Sequence, residues 1–328
     1  MRVLSRAEVQ TLLDLDKLVD AVAAAMGDLT RGAASMPPRV AARVEQQSGI
    51  LLAMPAYLPS TDVLATKLVS LFPNNARLGL HTHQAVVVAF DPATGTPLAL
   101  MDGTAITAAR TAAASALATR YLARQDAAVL AIVGTGVQAR SHARAFMRER
   151  GWSEVRLAGR DLARTNALAD ELSAELGVRV KPCASFQAAL DGADVVCATT
   201  HSPEPVVRRE WLSPGVHVNS VGFNPDGSEI DEATVLDAVV VVESRDIALA
   251  PWPTGLRELT VLLRDGRITP GHVHAELGEL VTGVRPGRTG PDQITLYKSA
   301  GVAVQDAAAA SLVLAAATEK TIGKEIEL

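Results

Sequence analysis

The chain has 328 residues, 31 Lys and Arg against 36 Asp and Glu, a net charge of -5 and 48% apolar residues, which is the length of about two domains and the composition of a folded, mildly acidic protein. That balance excludes the clustered basic surface that nucleic acid needs, and the chain carries no signal-peptide core and no run of ~18 uncharged apolar residues. The expectation is a soluble, cytoplasmic protein with neither nucleic acid nor membrane as a partner. Cys183 and Cys197 share no C-x-x-C spacing and sit in or beside apolar runs, so they predict small buried hydrophobes rather than a disulfide or a zinc site.

Residues 5–27 place Val9, Leu12, Leu13, Leu18, Val19 and Val22 at helical spacing, with a break near Asp14, Leu15 and Asp16. Residues 50–55, 64–69 and 85–90 read as strands, and the turn at 91–97 leads to another at 98–101, giving a sheet of antiparallel character. Residues 107–123 are alanine-rich and free of Gly and Pro, which predicts a helix leaving that sheet. From Ala127 the rhythm becomes strand, helix, strand, helix. Strands are expected at 129–133, 154–157, 179–181, 195–198, 216–221 and 239–242, with helices at 139–150, 162–176, 186–190 and 232–236. This alternation predicts an α/β fold, a doubly wound parallel (Rossmann) sheet beside a smaller α+β domain. Residues 302–320 predict a further alanine-rich helix that packs back on the first domain and makes it discontinuous. The expected domains are therefore 1–125 with about 300–328, and 126–299.

Gly134, Thr135, Gly136, Val137, Gln138 and Ala139 have the spacing G-x-G-x-x-A, directly after the apolar run 129–133 and before a helical segment. The first glycine permits a tight turn and the second a close approach of backbone to a pyrophosphate. Ala139 permits close packing of the helix, whose N-terminus faces the anion. About 20 residues on, where an acid would bond a ribose 2'-hydroxyl and an arginine would pair a 2'-phosphate, stand Ala158, Gly159, Arg160 and Asp161. Asp161 comes late and is equally explained as the cap of the next helix. Arg160 therefore favours NADP(H), with NAD(H) left open. The pairs His81 and His83, and His272 and His274, each put two imidazoles on one face of an extended segment, but without a third ligand at a usual spacing no metal is expected.

Several segments together resemble the ornithine cyclodeaminase and mu-crystallin family, in its imine-reducing branch. They are Pro38 and Arg39, Met54 and Pro55, the strand around Lys67, the segment Phe72, Pro73, Asn74 and Asn75, residues 102–113 with the run Arg110, Thr111, Ala112 and Ala113, the Gly134 loop, Asn219 to Gly222, and residues 294–299. The resemblance runs over nearly the whole chain. It implies a two-domain, usually homodimeric, NAD(P)-dependent enzyme acting on amino or imino acids, whose first domain provides the substrate pocket and dimer contacts and whose second binds the dinucleotide. Residue by residue it implies that Arg39, Lys67 and Arg110 hold the substrate carboxylate. The chemistry agrees, since a guanidinium fork with an ammonium suits a carboxylate beside a C=N carbon. Thr82, Thr111, Val137, Gln138, Thr199, Asn219, Val221 and Ser299 match cofactor-contacting positions, alongside Gly134 and Gly136. Taken singly, the basic residues also suit surface charges, and the others suit turn, cap and strand-end roles.

Two positions depart from the cyclodeaminase proper. Leu52 stands where that enzyme has an acid before the Met-Pro pair, and Asn224 where it has an aspartate after the Val-Gly strand end. An amide orients an amine or imine but cannot shuttle its proton at neutral pH, and Asp226 is the nearby substitute. These departures argue against deaminating cyclisation of ornithine and towards reduction of an imine. Asn224 is then expected to orient the substrate nitrogen, and His81 is the alternative proton donor. Lys67 shares a strand face with Ala65 and Val69, which predicts a pocket or interface position rather than open solvent, its ammonium taking the substrate carboxylate as anionic partner. The expected activity is NAD(P)H-dependent reduction of a small imino acid, a ketimine carboxylate or the imine of a 2-oxo acid. An amino-acid dehydrogenase, a true cyclodeaminase and a cofactor-loaded, non-catalytic binding protein are the alternatives.

Overall fold

The structure, a computed structural model, describes residues 1–224, 226–251 and 253–327. The chain forms two compact units, Met1–Arg110 with Gly301–Leu328, and Thr111–Ala300. The boundary at Arg110 falls inside a helix, whereas the expected boundary of 125 lay just beyond it.

The first unit opens with β1 (Arg2–Leu4), α1 (Arg6–Leu12) and α2 (Leu15–Thr30). The break between the two helices has a local cause. Ser5 and Glu8 form a capping box on α1, and the Asp14 side chain accepts from the Asp16 and Lys17 amides to start α2 afresh. Strands β2 (Val40–Val44), β3 (Gly49–Leu58), β4 (Val63–Leu71), β5 (His83–Phe90) and β6 (Pro97–Asp102) follow, and α3 (Gly103–Leu122) starts where the Asp102 carboxylate accepts the Ala105 amide at 2.7 Å.

The second unit supplies β7 (Val129–Val133), α4 (Val137–Glu149), β8 (Glu154–Ala158), α5 (Leu162–Leu176), β9 (Val180–Pro182), α6 (Phe186–Leu190), β10 (Val195–Ala198), β11 (His217–Ser220), α7 (Glu232–Asp237), β12 (Val239–Val242), α8 (Arg245–Ala248), α9 (Arg257–Arg264), β13 (Val273–Glu276), α10 (Leu277–Val281) and β14 (Thr295–Lys298). The chain then returns to the first unit for α11 (Ala303–Lys320) and β15 (Lys324–Glu325).

In the first unit the sheet order is β15-β1-β6-β5-β4-β3-β2. Strands β2 to β6 run antiparallel, as expected, while β1 pairs parallel with β6 and antiparallel with β15. The inner face carries Leu52, Met54, Val63, Ala65, Val69, Val87 and Met101, all buried, and α11 packs on β3, β4 and β5. Small residues make that approach close: 303–310 of α11 is buried throughout, mostly as alanine. The short strands β1, β2 and β15 were not foreseen. Every residue of β2 is exposed, so it carries no inward-outward alternation for a reader to find.

In the second unit eight parallel strands stand in the order β13-β12-β14-β11-β10-β7-β8-β9. All six strands expected here are present, joined by β13 and β14, whose half-polar sequences hide them. Lys298 ends β14 with no exposed surface because its ammonium is neutralised inside the fold. From β7 the chain steps out to β8 and β9, then crosses to the other side of β7 for β10. The topological switch point therefore lies between the carboxyl ends of β7 and β10, where open α/β sheets bind ligands. No helix among the described residues is long and apolar enough to cross a membrane.

Candidate active site

The glycine turn follows β7 at the switch point. Gly134 has φ +122, and a Cβ there would lie 2.6 Å from Thr199 Oγ1 and 2.9 Å from the Thr199 carbonyl oxygen, so only glycine fits. Its amide donates to the Ala158 carbonyl at 2.8 Å, and the Thr199 amide and hydroxyl each donate to the Val133 carbonyl at 2.8 Å. Gly136 is the N-cap of α4 and leaves the first-turn amides without a side-chain cap, in open space. Ala139 is fully buried, Val137 is exposed, and the buried Gln138 Oε1 has no hydrogen-bond partner among the described residues. An open helix N-terminus and a turn that admits no Cβ fit the pyrophosphate of a dinucleotide, and the orphaned acceptor fits a hydroxyl donor such as that of a ribose.

At the end of β8 the absence of an acid has a steric cause. A Cβ at Gly159 would lie 2.6 Å from Thr135 Cγ2 and 2.8 Å from Thr165 Oγ1, so the position next to the turn cannot carry a carboxylate. Asp161 instead caps α5, accepting the Arg164 amide at 3.1 Å. Arg160 is exposed and forms no ion pair among the described residues.

Other predicted cofactor residues sit deeper. Asn219 is fully buried and donates through Nδ2 to Thr119 Oγ1 at 3.0 Å, and Ser299 donates to Glu243 Oε1 at 2.6 Å. Thr111 is buried, and the Val221 amide donates to the Ala198 carbonyl at 3.1 Å. Asn224 is half-buried and ties two turns together: Nδ2 donates to the His201 carbonyl at 2.8 Å and Oδ1 accepts the Asp226 amide at 2.8 Å. The amide expected to face substrate nitrogen thus has a local role of its own. Thr82, in the first unit, is exposed just before β5, and its carbonyl accepts the Phe72 amide at 2.9 Å.

In the first unit the three predicted carboxylate-holding residues converge on one short stretch, Gly301 and the first turn of α11. Arg39 donates to the Gly301 carbonyl at 3.0 Å. Arg110 donates through Nε to Asp306 Oδ1 at 2.9 Å and through Nη1 to Gln305 Oε1 at 3.1 Å. Lys67 Nζ lies 2.7 Å from Asp306 Oδ2, both side chains 2% exposed. Gly301, at φ +69, has no room for a Cβ, which would lie 2.7 Å from the Arg110 guanidinium.

The expectation that Lys67 lacks an anionic partner until substrate arrives is corrected here, because Asp306 is that partner. A buried ammonium would otherwise be several kcal/mol too costly to keep charged. Burial lowers the Lys67 pKa to about 8; Arg110 and Arg39 push the same way, and Asp306 opposes them. The Asp306 carboxyl is desolvated, yet Arg110 and Lys67 hold it below its ordinary value. Asp306 is the carboxylate that Lys67 and Arg110 share.

The imidazole that faces this charge is His83 rather than His81. By strand register Leu71 pairs with His83, Val69 with Ala85 and Lys67 with Val87, so His83 shares the inner sheet face with Lys67. Burial lowers its pKa to about 4, reinforced by Lys67 and Arg110. It is therefore neutral at neutral pH and holds no spare proton. His81 is exposed, its carbonyl accepting from Asn75 Nδ2 at 2.9 Å. His272 and His274 bond the Val235 and Pro286 carbonyls at 2.8 and 3.0 Å. Among the described residues no group of His, Cys, Asp or Glu could hold a metal ion.

Sequence reasoning missed Asp306, Gln305 and His83. The signal for the first two was available: they are the polar residues in a helix start that is otherwise apolar on every side.

A doubly wound parallel sheet with a glycine turn and an uncapped helix at its switch point is a Rossmann-type fold, here beside a second, α+β unit. The chain belongs to the ornithine cyclodeaminase/mu-crystallin family, whose profile matches residues 1–321. It is 38% identical over 315 residues to the ketimine reductase mu-crystallin of Rattus norvegicus, covering 94% of this chain and 95% of the relative. The Delta(1)-pyrroline-2-carboxylate reductase of Thermococcus litoralis, solved in complex with NADH and L-proline, matches with a TM-score of 0.95 at 38% identity, over 99% of this chain and 100% of that one. An archaeal alanine dehydrogenase dimer with bound NAD matches with a TM-score of 0.92 at 33% identity, over 100% and 99%.

Proposed function

We propose that the protein is an NAD(P)H-dependent oxidoreductase that reduces a small imino acid to the amino acid. The substrate class is a ketimine carboxylate such as pyrroline-2-carboxylate, or the imine of a 2-oxo acid. The observation that carries this reading is the gathering of Arg39, Lys67 and Arg110 around one turn, where Lys67 and Arg110 share Asp306. Such a gathering of cations suits a carboxylate, with the guanidinium forks fixing its plane and the ammonium its position. The names of the reductases at 38% identity support the same class.

When bound, the reduced nicotinamide supplies the hydride that the imine carbon accepts. Gly134, Gly136, Val137 and Gln138, with Thr199 behind them, would hold its pyrophosphate, and Thr82, Thr111, Asn219, Val221 and Ser299 complete the proposed cofactor set. Arg160 favours NADP(H), and the bulk-free Gly159 explains why no acid selects NAD(H), which remains usable. The imine nitrogen must gain a proton, and Lys67, at about 8, is the titratable acid of the cluster. Asn224 is the amide assigned to orient the substrate nitrogen. Run backwards, the same chemistry is an amino-acid dehydrogenase, a direction supported by the alanine dehydrogenase likeness. Leu52, buried on the inner face opposite Val69, offers no carboxylate to a distal amine, which disfavours ornithine.

We further propose that the chain pairs as a homodimer in the cytoplasm. The outer face of the first unit's sheet leaves Leu51, Val86 and Leu98 exposed, an apolar surface that suits a second copy.

The test is absorbance-monitored oxidation of NADPH and NADH over a panel: five- and six-membered cyclic ketimine carboxylates, pyruvate with ammonia or methylamine, oxaloacetate with ammonia, and ornithine with NAD. Turnover of a ketimine or 2-oxo-acid imine without proline or ammonia from ornithine is expected. Tight ligand binding with no turnover on any substrate would replace this reading by a binding protein.

A further inference from the structure

The second unit buries a charged network that the reaction as described does not use. Glu229 is 2% exposed, and its carboxylate accepts four hydrogen bonds from two different turns. Oε2 takes the amide and the hydroxyl of Thr200, both at 2.8 Å, just after β10. Oε1 takes Ser220 Oγ at 2.8 Å and the Gly222 amide at 2.6 Å, just after β11.

Lys298, fully buried at the end of β14, completes the clamp from the other side. Its ammonium meets Gly222 O at 2.6 Å, Ser220 Oγ at 3.1 Å and Glu258 Oε1 at 3.1 Å, using all three of its donors. Both backbone groups of Gly222 are thus held by opposite charges. A Cβ on that residue would lie 2.3 Å from the Thr200 carbonyl oxygen and 2.5 Å from Glu229 Cδ, so the two turns touch with no space between them. Asn224 on the His201 carbonyl at 2.8 Å, and the Ser228 amide on the Pro203 carbonyl at 3.2 Å, continue the same seam.

These turns leave the carboxyl ends of β10 and β11, on the side of the switch point away from β8. In a doubly wound sheet the half containing the glycine turn and the next strand takes one nucleoside, and the opposite half takes the other. We propose that Glu229 and Lys298 are positioning residues for the dinucleotide, fixing the paired turns that seat its nicotinamide half. The inference rests on the dinucleotide-binding reading of this unit. Burying these charges is a poor route to stability alone, since well-packed apolar groups do as well. What a carboxylate does that an apolar group cannot is accept four donors from two turns at one point.

The test is fluorescence titration of the full chain with NADPH, NADH and ADP, for wild type, Glu229→Gln, Lys298→Met and Ser220→Ala. Gln keeps the shape of Glu but turns an amide donor towards another donor, and Met keeps the length of Lys without its charge. Loss of charge-assisted contacts predicts that Glu229→Gln and Lys298→Met bind both reduced dinucleotides about 10- to 100-fold more weakly. ADP, which reaches only the glycine turn and the end of β8, should keep its affinity within about twofold. KM for the dinucleotide should rise more than kcat falls.

Unchanged dinucleotide affinity, whatever the melting temperature does, would make the network purely structural and overturn the proposal. So would a parallel loss of ADP, which marks general collapse of the unit. Ser220→Ala leaves each charge its other partners, so it decides the matter if the charge variants do not fold: a selective loss of dinucleotide supports the proposal and none overturns it. A wild-type chain that binds no dinucleotide sinks the functional reading with it, whereas normal wild-type binding with unaffected variants sinks this inference alone.

Discussion

The glycine turn after β7 and the turn into α11 both handle charge, and they are built in opposite ways. The first is made of contiguous residues, 134–139, and works through backbone: a positive φ, an uncapped helix start and missing Cβ atoms. The second is assembled from Arg39, Lys67, Arg110 and Asp306, which are far apart in sequence, and works through side-chain charge. A backbone site tolerates change in any side chain that does not intrude. A side-chain site depends on the balance of every charge in it, so removing Asp306, which Lys67 and Arg110 share, should do more damage than removing either of those cations.

Asp306→Ala is therefore the most severe test of that contrast. It leaves Lys67 and Arg110 buried without their shared carboxylate, which should cost about 3 to 5 kcal/mol of stability. Imine reduction should fall well beyond 100-fold, at roughly 1.4 kcal/mol per tenfold. A melting temperature and kcat/KM close to wild type would show that the cations do not depend on Asp306. Asp306→Asn, which keeps the shape, should shift the Lys67 titration below about 8, because the carboxylate is what holds it up.

The backbone site is broken by a single methyl. Gly134→Ala forces a Cβ to 2.6 Å from Thr199 Oγ1 at φ +122, and strain of about 1 to 3 kcal/mol predicts a roughly 10- to 100-fold loss of dinucleotide affinity. The basic cluster, lying in the other unit, should be untouched, so the titration of Lys67 should not move. Gly136→Ala meets no protein atom within 4 Å, so it should keep the wild-type melting temperature while weakening dinucleotide binding, because its Cβ enters the space through which the pyrophosphate approaches. Equal loss of stability from both substitutions would refute the steric account of the turn.

Lys67→Met sharpens the same comparison from the other side. Removing one cation leaves Asp306 paired with Arg110, so the fold should persist while kcat/KM drops roughly 10- to 100-fold. The sign of the pH effect follows from the lowered pKa. Wild-type reduction should decline above pH about 8 as the ammonium deprotonates. Between about 8 and the ordinary 10.5 the unfolded chain holds more protons on this lysine than the folded one, so stability should rise with pH across that window. In Lys67→Met both trends should flatten. Melting curves and pH–rate profiles of the two proteins check this, and a persistent alkaline decline in Lys67→Met would move the proton to another group.

The contrast also explains what could be read from the sequence. The alternation 129–242 and the G-x-G-x-x-A turn are local patterns, and they gave the doubly wound sheet and the cofactor cradle directly. Arg39 and Arg110 were reached through a family resemblance, since nothing local distinguishes them from surface charges, whereas Lys67 was also marked by sharing a strand face with Ala65 and Val69. Asp306 sits in a run of alanines whose only reading was a packed helix, and its partners lie 196 residues and more away. His83 was displaced by His81 because only strand register says which of two alternating imidazoles faces inward. Strand β14 was hidden by Lys298, a residue that reads as exposed unless Glu258 is known to meet it. In each case the missing information was a long-range charge pairing or a register, which a local pattern does not carry.

The smallest expected effect lies at the edge of the backbone site, where it ends and side-chain selection begins. Gly159 admits no side chain, so the choice between ribose 2'-hydroxyl and 2'-phosphate falls to the exposed Arg160. An exposed guanidinium on a phosphate is screened by salt and solvent, so the contact should be worth less than a buried one, nearer 1.5 than 3 kcal/mol. Arg160→Ala should accordingly lower the preference for NADPH over NADH by about tenfold, less at high ionic strength, while leaving NADH kinetics unchanged. Asp161 must not change in the same experiment, because it caps α5 and its loss would loosen the turn for both cofactors. The measurement is the ratio of kcat/KM for NADPH to that for NADH, at low and high salt, in wild type and Arg160→Ala. A wild-type ratio near one, or a ratio indifferent to the substitution, would mean that the turn itself reads the dinucleotide and that side-chain charge plays no part in this unit's selectivity.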